Sequence, residues 1–399
     1  MARTFEIGNI GEIDDRVRLK LNGQDVLIAE SYEVRTSLFQ QPAEFSLHLG
    51  HSGVAKEILR RYPPNTPFEL LIGTVPQFTG VIDDPGADST VGGTSVTFRG
   101  RDASAPLHDD HIDAEKTYKD ATYMSLAKKQ LEAVGLGART IAGSNLANRR
   151  VKGGVPIQEL SPLPRDHEQL LTGASSGGAI GVVHQQIQSR INERRHEFLS
   201  RYLQLVGLFF WASADGNFVL SEPNCKQAPT SSILRRVGMS REETNVTSAS
   251  LQNNTRDRFS VYNVYGRSHG GKNGHPKALG LWVDDEMTNW GFTKSKTWRS
   301  QNAKTREQAE FIARRMAAED RRRGWQLRYT VAGHTTPFTS GTQRAVWIPD
   351  TIHKIYDDII GINDLLFLTD CTYKGSGSGI TTDLVFQRPI DQVWAQGLF

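Results

Sequence analysis

From Val17 to about Leu107, apolar and polar side chains alternate, and a period of two fits β-strands that bury one face and wet the other. Val17, Leu19 and Leu21 alternate before the turn Asn22-Gly23-Gln24-Asp25, then Tyr32, Val34 and Thr36, then Phe45, Leu47 and Leu49. The runs Phe68–Gly73, Phe78–Asp83 and Ser95–Gly100 continue the series, separated by Pro, Gly, Asn and Asp. Short strands in this succession imply a small closed barrel or a sandwich. In the last run Val96 and Phe98 share one face while Thr97 and Arg99 share the other; Gly100 is expected to break the strand, leaving Arg101 and Asp102 beyond it.

The pattern changes after His111. Tyr123, Leu126, Ala127, Leu131 and Val134 recur at helical spacing, with Gly135 and Gly137 as a stop. A second helix is expected over about Gln186–Val206, on the stripe Ile191, Arg195, Phe198, Leu199, Tyr202 and Leu205, followed by a hairpin turning at Asp215-Gly216-Asn217. The Gly- and Pro-rich segment 153–183 between the helices, and Gly266–Gly280 further on, are expected to be loops. A third helix is expected over 305–323, its face of Ala313, Ala317 and Ala318 smooth enough to pack closely on the α/β module or across a subunit boundary. The remaining runs are strands. The chain is therefore expected to be mainly β with an α+β insert.

A chain of 399 residues exceeds what one core usually organises. Its 38% hydrophobic and 23% charged residues suit globular domains, and a formal charge of +3 is too small to imply a nucleic-acid footprint. Cys225 and Cys371 lack metal-ligand spacing, and the sequence leaves open whether they pair. The first residues have no apolar core of a secretory signal, and no window approaches the roughly 18 apolar residues of a membrane span. A product made in the cytoplasm, without stable membrane association, is expected.

Two distant segments echo one another. Phe78–Asp102 and Phe367–Asp391 both open with Phe, pass a Gly/Ser-rich tip and return as a Thr-rich strand, with Phe98-Arg99 set against Phe386-Gln387-Arg388. The echo suggests two related β-barrels flanking the helical module. Together with Phe98–Ser104, Phe209–Pro223, Arg256–Gly266, Arg306–Arg322 and Leu365–Pro389, it makes nearly the whole chain resemble the baseplate hub proteins of Mu-like contractile-tailed phages. The chain also resembles the late-control-D family and, more distantly, the N-terminal half of type VI secretion spike proteins. The resemblance implies a first tube-initiator-like barrel at 1–112, an α/β module at 113–235, a second barrel at 236–390 and a tail at 391–399. It implies a virion homotrimer whose six barrels adapt a trimeric central spike to a hexameric tail tube and nucleate tube assembly. Tape-measure and baseplate wedge proteins would be further partners, and DNA would only pass through the bore. Gly100 would let the strand leave the barrel, and Arg101 and Asp102 would form an ion pair or an intersubunit contact. Arg99, Arg388, Trp394 and Phe399 join them as candidate interface residues. Segment 153–183 departs from the family pattern.

The residues with chemistry in them point elsewhere only weakly. His108 and His111 would share a helical face at a metal-ligand spacing, but no third ligand can be assigned. Gly173–Gly177 matches a nucleophile elbow around Ser175 without the required flanking strand and helix. Asp83-Asp84, Asp284-Asp285 and Asp357-Asp358 are adjacent carboxylates, whereas a glycosidase needs two facing each other about 5–10 Å apart. Gly270–Gly274 lacks phosphate-loop spacing, and Arg321–Arg323 close a helix where cations suit the dipole. No catalytic residue, cofactor or metal is expected. The alternatives are a tail-associated cell-wall hydrolase and a receptor- or glycan-binding module presenting Trp282, Trp290 and Trp298.

Overall fold

The computed structural model describes residues 16–25, 30–39, 42–51, 55–90, 93–112, 116–118, 122–143, 187–203, 208–221, 223–225, 227–239, 244–266, 279–300, 306–336 and 345–389. Segment 153–183 with Ser175, Gly270–Gly274, and Trp394, Leu398 and Phe399 lie outside the described residues. The first part of the chain is β1 (Val17–Leu21), β2 (Gln24–Asp25), β3 (Ser31–Ser37), β4 (Glu44–His51), helix α1 (Ala55–Arg61), β5 (Pro67–Ile72), β6 (Val75–Thr90) and β7 (Gly93–Asp102). A middle part follows: α2 (Ala105–Asp109), β8 (Thr117–Tyr118), α3 (Tyr123–Ala133), β9 (Ile141–Gly143), β10 (Ile187–Gln188), α4 (Arg195–Leu203), β11 (Phe209–Ala212) and β12 (Phe218–Ser221). The last part is β13 (Ser231–Arg235), β14 (Val246–Asn253), β15 (Val261–Tyr265), β16 (Leu279–Val283), α5 (Asp285–Asn289), β17 (Ser295–Arg299), α6 (Arg306–Gly324), β18 (Trp325–Ala332), β19 (Thr351–Asp357), β20 (Ile362–Ser376) and β21 (Gly379–Gln387).

The chain is mainly β and multi-domain. Thirteen strands join in one sheet, ordered β14-β18-β21-β20-β3-β4-β7-β6-β5-β1-β2, with β13 and β19 branching from β20. Among the described residues the expected closed barrels are not formed: the sheet is open, with β14 and β2 at its ends. Its two halves nevertheless follow the same path. In the first, β5, β6, β7, β4 and β3 are successive antiparallel neighbours; in the second, β19, β20, β21, β18 and β14 are. The hairpins correspond residue for residue. Each carries a bulge, after Ile82 opposite Gly100 and after Leu368 opposite Phe386, and each closes with the pairs Thr90↔Gly93 and Ser376↔Gly379. The intervals from bulge to closure are equal in both, so Phe98 corresponds to Leu384 and Arg99 to Val385. The expected match of Phe98 to Phe386 is thus two residues out of register. The identity of two phenylalanines suggested it; the bulge, which fixes which residue faces which, overrules it.

One apolar core runs beneath both halves, including Phe45, Phe68, Phe78 and Phe98 on one side and Leu327, Tyr329, Leu384 and Phe386 on the other. Burying each such Leu or Phe side chain is worth about 1.5–3 kcal/mol. Gly100 does not end β7. It stays paired to Phe45 and Ile82, and a Cβ there would lie 2.8 Å from the Phe45 ring and 3.0 Å from the Phe68 ring.

The middle part packs α3 and α4 against the sheet β11-β12-β9 around Leu126, Leu131, Phe198, Leu199 and Phe218. Thr122 and Ser125 form a reciprocal capping box at the start of α3, and Gly135 follows it at φ 79°. The expected helix over Gln186–Val206 is shorter: Ile187-Gln188 pair with Tyr118-Thr117, Asn192 turns at φ 59°, and α4 begins only at Arg195. A third layer sets α6 on the sheet β16-β15-β17, so the alanine face packs within its own part of the chain rather than on the α/β module or another subunit. Ala309, Ala313 and Ala317 meet Tyr262 and Val264, and at Gly280 a Cβ would stand 2.0 Å from the Ala309 carbonyl carbon. Replacing Gly280 with Ala must push helix and sheet apart, and we expect a loss of about 3 kcal/mol in chemical denaturation.

Candidate functional site

The polar faces of β3, β4, β6, β7, β20 and β21 line a groove of about 870 Å³. It contains the largest gathering of the residues that the sequence singles out. Because β6 bulges after Ile82, Asp83 and Asp84 both line the groove instead of alternating across the sheet. Arg99 donates to Asp84 at 3.0 Å, with both side chains exposed. Arg101 donates to both oxygens of Asp83, at 2.7 and 2.9 Å, and to both oxygens of Asp109 on α2, at 2.8 and 2.7 Å. These two forked contacts raise the Arg101 pKa, and Asp109 is lowered in return, first by its hydrogen bond from Arg101.

Arg101 and Asp102 therefore do not pair with each other. Successive residues of a strand face opposite sides, and Asp102 points into the protein, where it is buried. It accepts from the Ala43 N–H at 2.8 Å and from both the N–H and hydroxyl of Ser104, at 2.8 and 2.5 Å. Burial raises its pKa and the hydrogen bonds oppose that rise. Arg101 braces the hairpin against α2, while Asp102 fixes the chain as it leaves β7. Arg388, just past β21, stands apart from this groove: it approaches Glu286 at 3.5 Å and lies over the Trp325 ring at 5.3 Å.

His108 and His111 do not share a helical face, because α2 ends at Asp109 and Asp110 is extended. His108 instead stacks on His196 of α4 with ring centroids 3.9 Å apart, and the His111 backbone forms an antiparallel β-bridge with that of Arg194. Burial, with the neighbouring His196 next, pushes His108 down to about 3, and burial lowers His196 to about 4. The histidine pair is held neutral between two helices. Sequence reasoning missed this contact, since His196 is far from His108 along the chain and only the packing of α2 on α4 joins them.

The first carboxylate of each remaining acidic pair is also engaged. Asp284 caps α5 and binds Arg258 at 2.9 Å and Arg321 at 2.8 Å; Asp357 is buried, accepting from Tyr329 at 2.7 Å and Arg235 at 3.2 Å. Arg322 and Arg323 both pair with Glu319. Of these three tryptophans, Trp282 stacks with Arg314, Trp290 covers the buried Arg258 while remaining exposed on its outer side, and Trp298 is exposed. Among the described residues no three His, Cys, Asp or Glu side chains gather as metal ligands, both cysteines are free, and no helix is long and apolar enough to cross a membrane.

No family model matches the sequence, and no curated protein matches it. Solved structures do. A tail protein from Neisseria meningitidis MC58 aligns with 96% of this chain and 98% of its own, at 19% identity and a TM-score of 0.73. The 43 kDa tail protein of prophage MuSo2 from Shewanella oneidensis aligns with 94% of this chain and 99% of its own, at 18% identity and a TM-score of 0.71. The chain has the fold of phage tail proteins. The E. coli c3393 protein, a type VI secretion component, is more remote, covering 92% of this chain and 76% of its own at 11% identity and a TM-score of 0.50.

Two outcomes follow from these contacts. Asp102→Ala strands the Ala43 and Ser104 donors and should cost about 1–3 kcal/mol in urea unfolding, whereas Arg99→Ala at the exposed pair should cost under about 1 kcal/mol. The folded pKa values of His108 and His196 lie below the ordinary 6.5, so the unfolded chain takes up these protons first as pH falls. Their contribution is complete above about pH 6.5 and is lost progressively as pH falls through about 4 for His196 and about 3 for His108. Replacing both histidines with Gln should flatten that part of the stability–pH curve.

Proposed function

We propose that this chain is a structural hub of a contractile phage tail or related injection device, joining a trimeric spike to a hexameric tail tube. The reading is supported most directly by the duplicated strand path, whose hairpins correspond from bulge to tip inside a fold shared with tail proteins. A chain that carries one framework twice offers six similar surfaces when three copies gather, while its unduplicated parts remain threefold. Such a body meets a threefold partner and a sixfold one without breaking symmetry at either.

On this reading each half, at 1–112 and 236–390, is one barrel-like unit of the ring, and 113–235 is a peripheral module. Spike and tube are the principal partners, with tape-measure and wedge proteins secondary. DNA passes through the bore, and the protein resides in the tail of the virion. Arg99, Arg101 and Arg388 belong to or brace the assembling surfaces. No catalytic step is called for: Asp83, Asp84, Asp284 and Asp357 are occupied by arginines. Mass photometry of the purified chain is expected to give three chain masses, and negative-stain images an annulus with six similar lobes. A monomer that persists at micromolar concentration, with or without the spike, would overturn the assignment.

A further inference from the structure

The two halves differ in what lies against the outer edge of one strand. Beyond its bulge, β20 pairs with β3, through Asp370↔Ser37, Cys371↔Thr36, Thr372↔Arg35, Tyr373↔Val34, Lys374↔Glu33 and Gly375↔Tyr32. The corresponding stretch of β6, from Asp84 to Ser89, pairs with β7 alone among the described residues. The counterpart of β3 is β14, which pairs with β18 alone and ends the sheet. Each half thus has one acceptor edge and one donor strand. Within the chain only one donor, β3, meets an acceptor.

We propose that β14 of one chain adds antiparallel to the Asp84–Ser89 edge of β6 in a second copy, reproducing between chains the β3–β20 junction found within one. This rests on the reading that copies of the chain assemble with one another, and it specifies which edges meet. The register follows from the internal junction. Phe45 pairs with Val34 and Leu327 with Leu251, at equivalent places in the two halves, so Leu251 stands for Val34. The hairpins set Ala87 where Tyr373 stands. Leu251 therefore faces Ala87, Ser250 faces Asp88, and Ala249 faces Ser89.

Two observations favour a strand of this chain as the occupant. Val34 is fully buried, but its counterpart Leu251 is 39% exposed at the free edge, an apolar side chain placed as a core residue and lacking its cover. At the far end of the internal junction, Ser37 donates to Asp370 at 2.5 Å; the same place between chains sets Asn254, which has side-chain donors, opposite Asp84. Joining unlike edges makes the contact head-to-tail, and it closes into a ring when the rotation permits.

Disulfide trapping tests the register. Neighbouring pairs in an antiparallel ladder alternate between narrow and wide spacing, so two double variants sample both: Ala87→Cys with Leu251→Cys, and Asp88→Cys with Ser250→Cys. On oxidation at least one should link chains covalently. The out-of-register control, Ser89→Cys with Asn253→Cys, should stay unlinked. In the unmodified protein, amide hydrogen exchange over 84–89 and 249–253 should be slowed on the order of a hundredfold or more in the assembled state, as paired strands are. Linkage of the control as fast as the in-register pairs, or unprotected edges in the assembly, would overturn the pairing. A three-chain assembly whose in-register cysteines do not link would also sink this contact and leave the hub reading standing. A covalent ladder of no fixed size would keep the contact and remove the ring.

Discussion

The junction of β20 with β3 makes one body of two halves. It exists because β20 changes partner along its length. Up to Leu368 its edge is taken by β19; the bulge then re-aims the strand, and from Asp370 the same edge takes β3. The seam is filled by aromatic side chains. Tyr32 reaches His334 at 2.8 Å, and Tyr373 is held by the Trp347 carbonyl. The Tyr32 ring lies so close over Gly375 that a Cβ would fall 2.2 Å from it, so a glycine is required there. Because the core is continuous beneath the seam, separating the halves exposes apolar surface on both.

A buried ionic cluster ties the α6 layer to this frame. Arg258, wholly buried, donates to Asp284 and to Glu286 at 2.7 Å, and Arg321 and Arg388 converge on the same two acids. Such clusters bring little net stability over apolar packing, but removing one member strands the others, so they fix position more than they strengthen it. The cluster joins four elements: the start of α5, the turn before β15, the end of α6 and the exit of β21. Arg322 extends the tie into the first half, lying 4.1 Å over the Phe39 ring.

Local pattern was legible wherever one face of an element is wet. Alternation located β1, β3, β4, β5 and β7, and the helical stripe located α3 and α6. Contacts across the chain were not legible. The hairpin echo was visible, yet its register was hidden by an exchange of volume: one half pairs Phe45 with Gly100, the other Leu327 with Phe386. A large residue moved from one strand to its neighbour, so matching phenylalanines by letter misaligns the strands. The partners of Arg101 were equally hidden, since a bulge and a short helix bring Asp83 and Asp109 to it. Arg195 falls on an apolar stripe of the sequence, and it is buried because Asp110 and Gln130 receive its donors, at 2.5 and 3.2 Å.

The way the halves diverge bears on their use. In the first, only residues 38–43 separate β3 from β4. In the second, the equivalent link from β14 to β18 carries β15, β16, β17, α5 and α6. The frame, whose strands must match their neighbours in register, occurs twice per chain; the layer, which packs mainly on itself and is pinned by the Arg258 cluster, occurs once. Insertion between paired strands leaves their ladder intact as long as the inserted layer folds on its own core. Any closed assembly of such chains repeats its frame at twice the frequency of its decoration. Surfaces built from the frame then suit a partner with twice the symmetry of the assembly, and surfaces built from the α6 layer or the middle module suit one with the symmetry of the assembly itself.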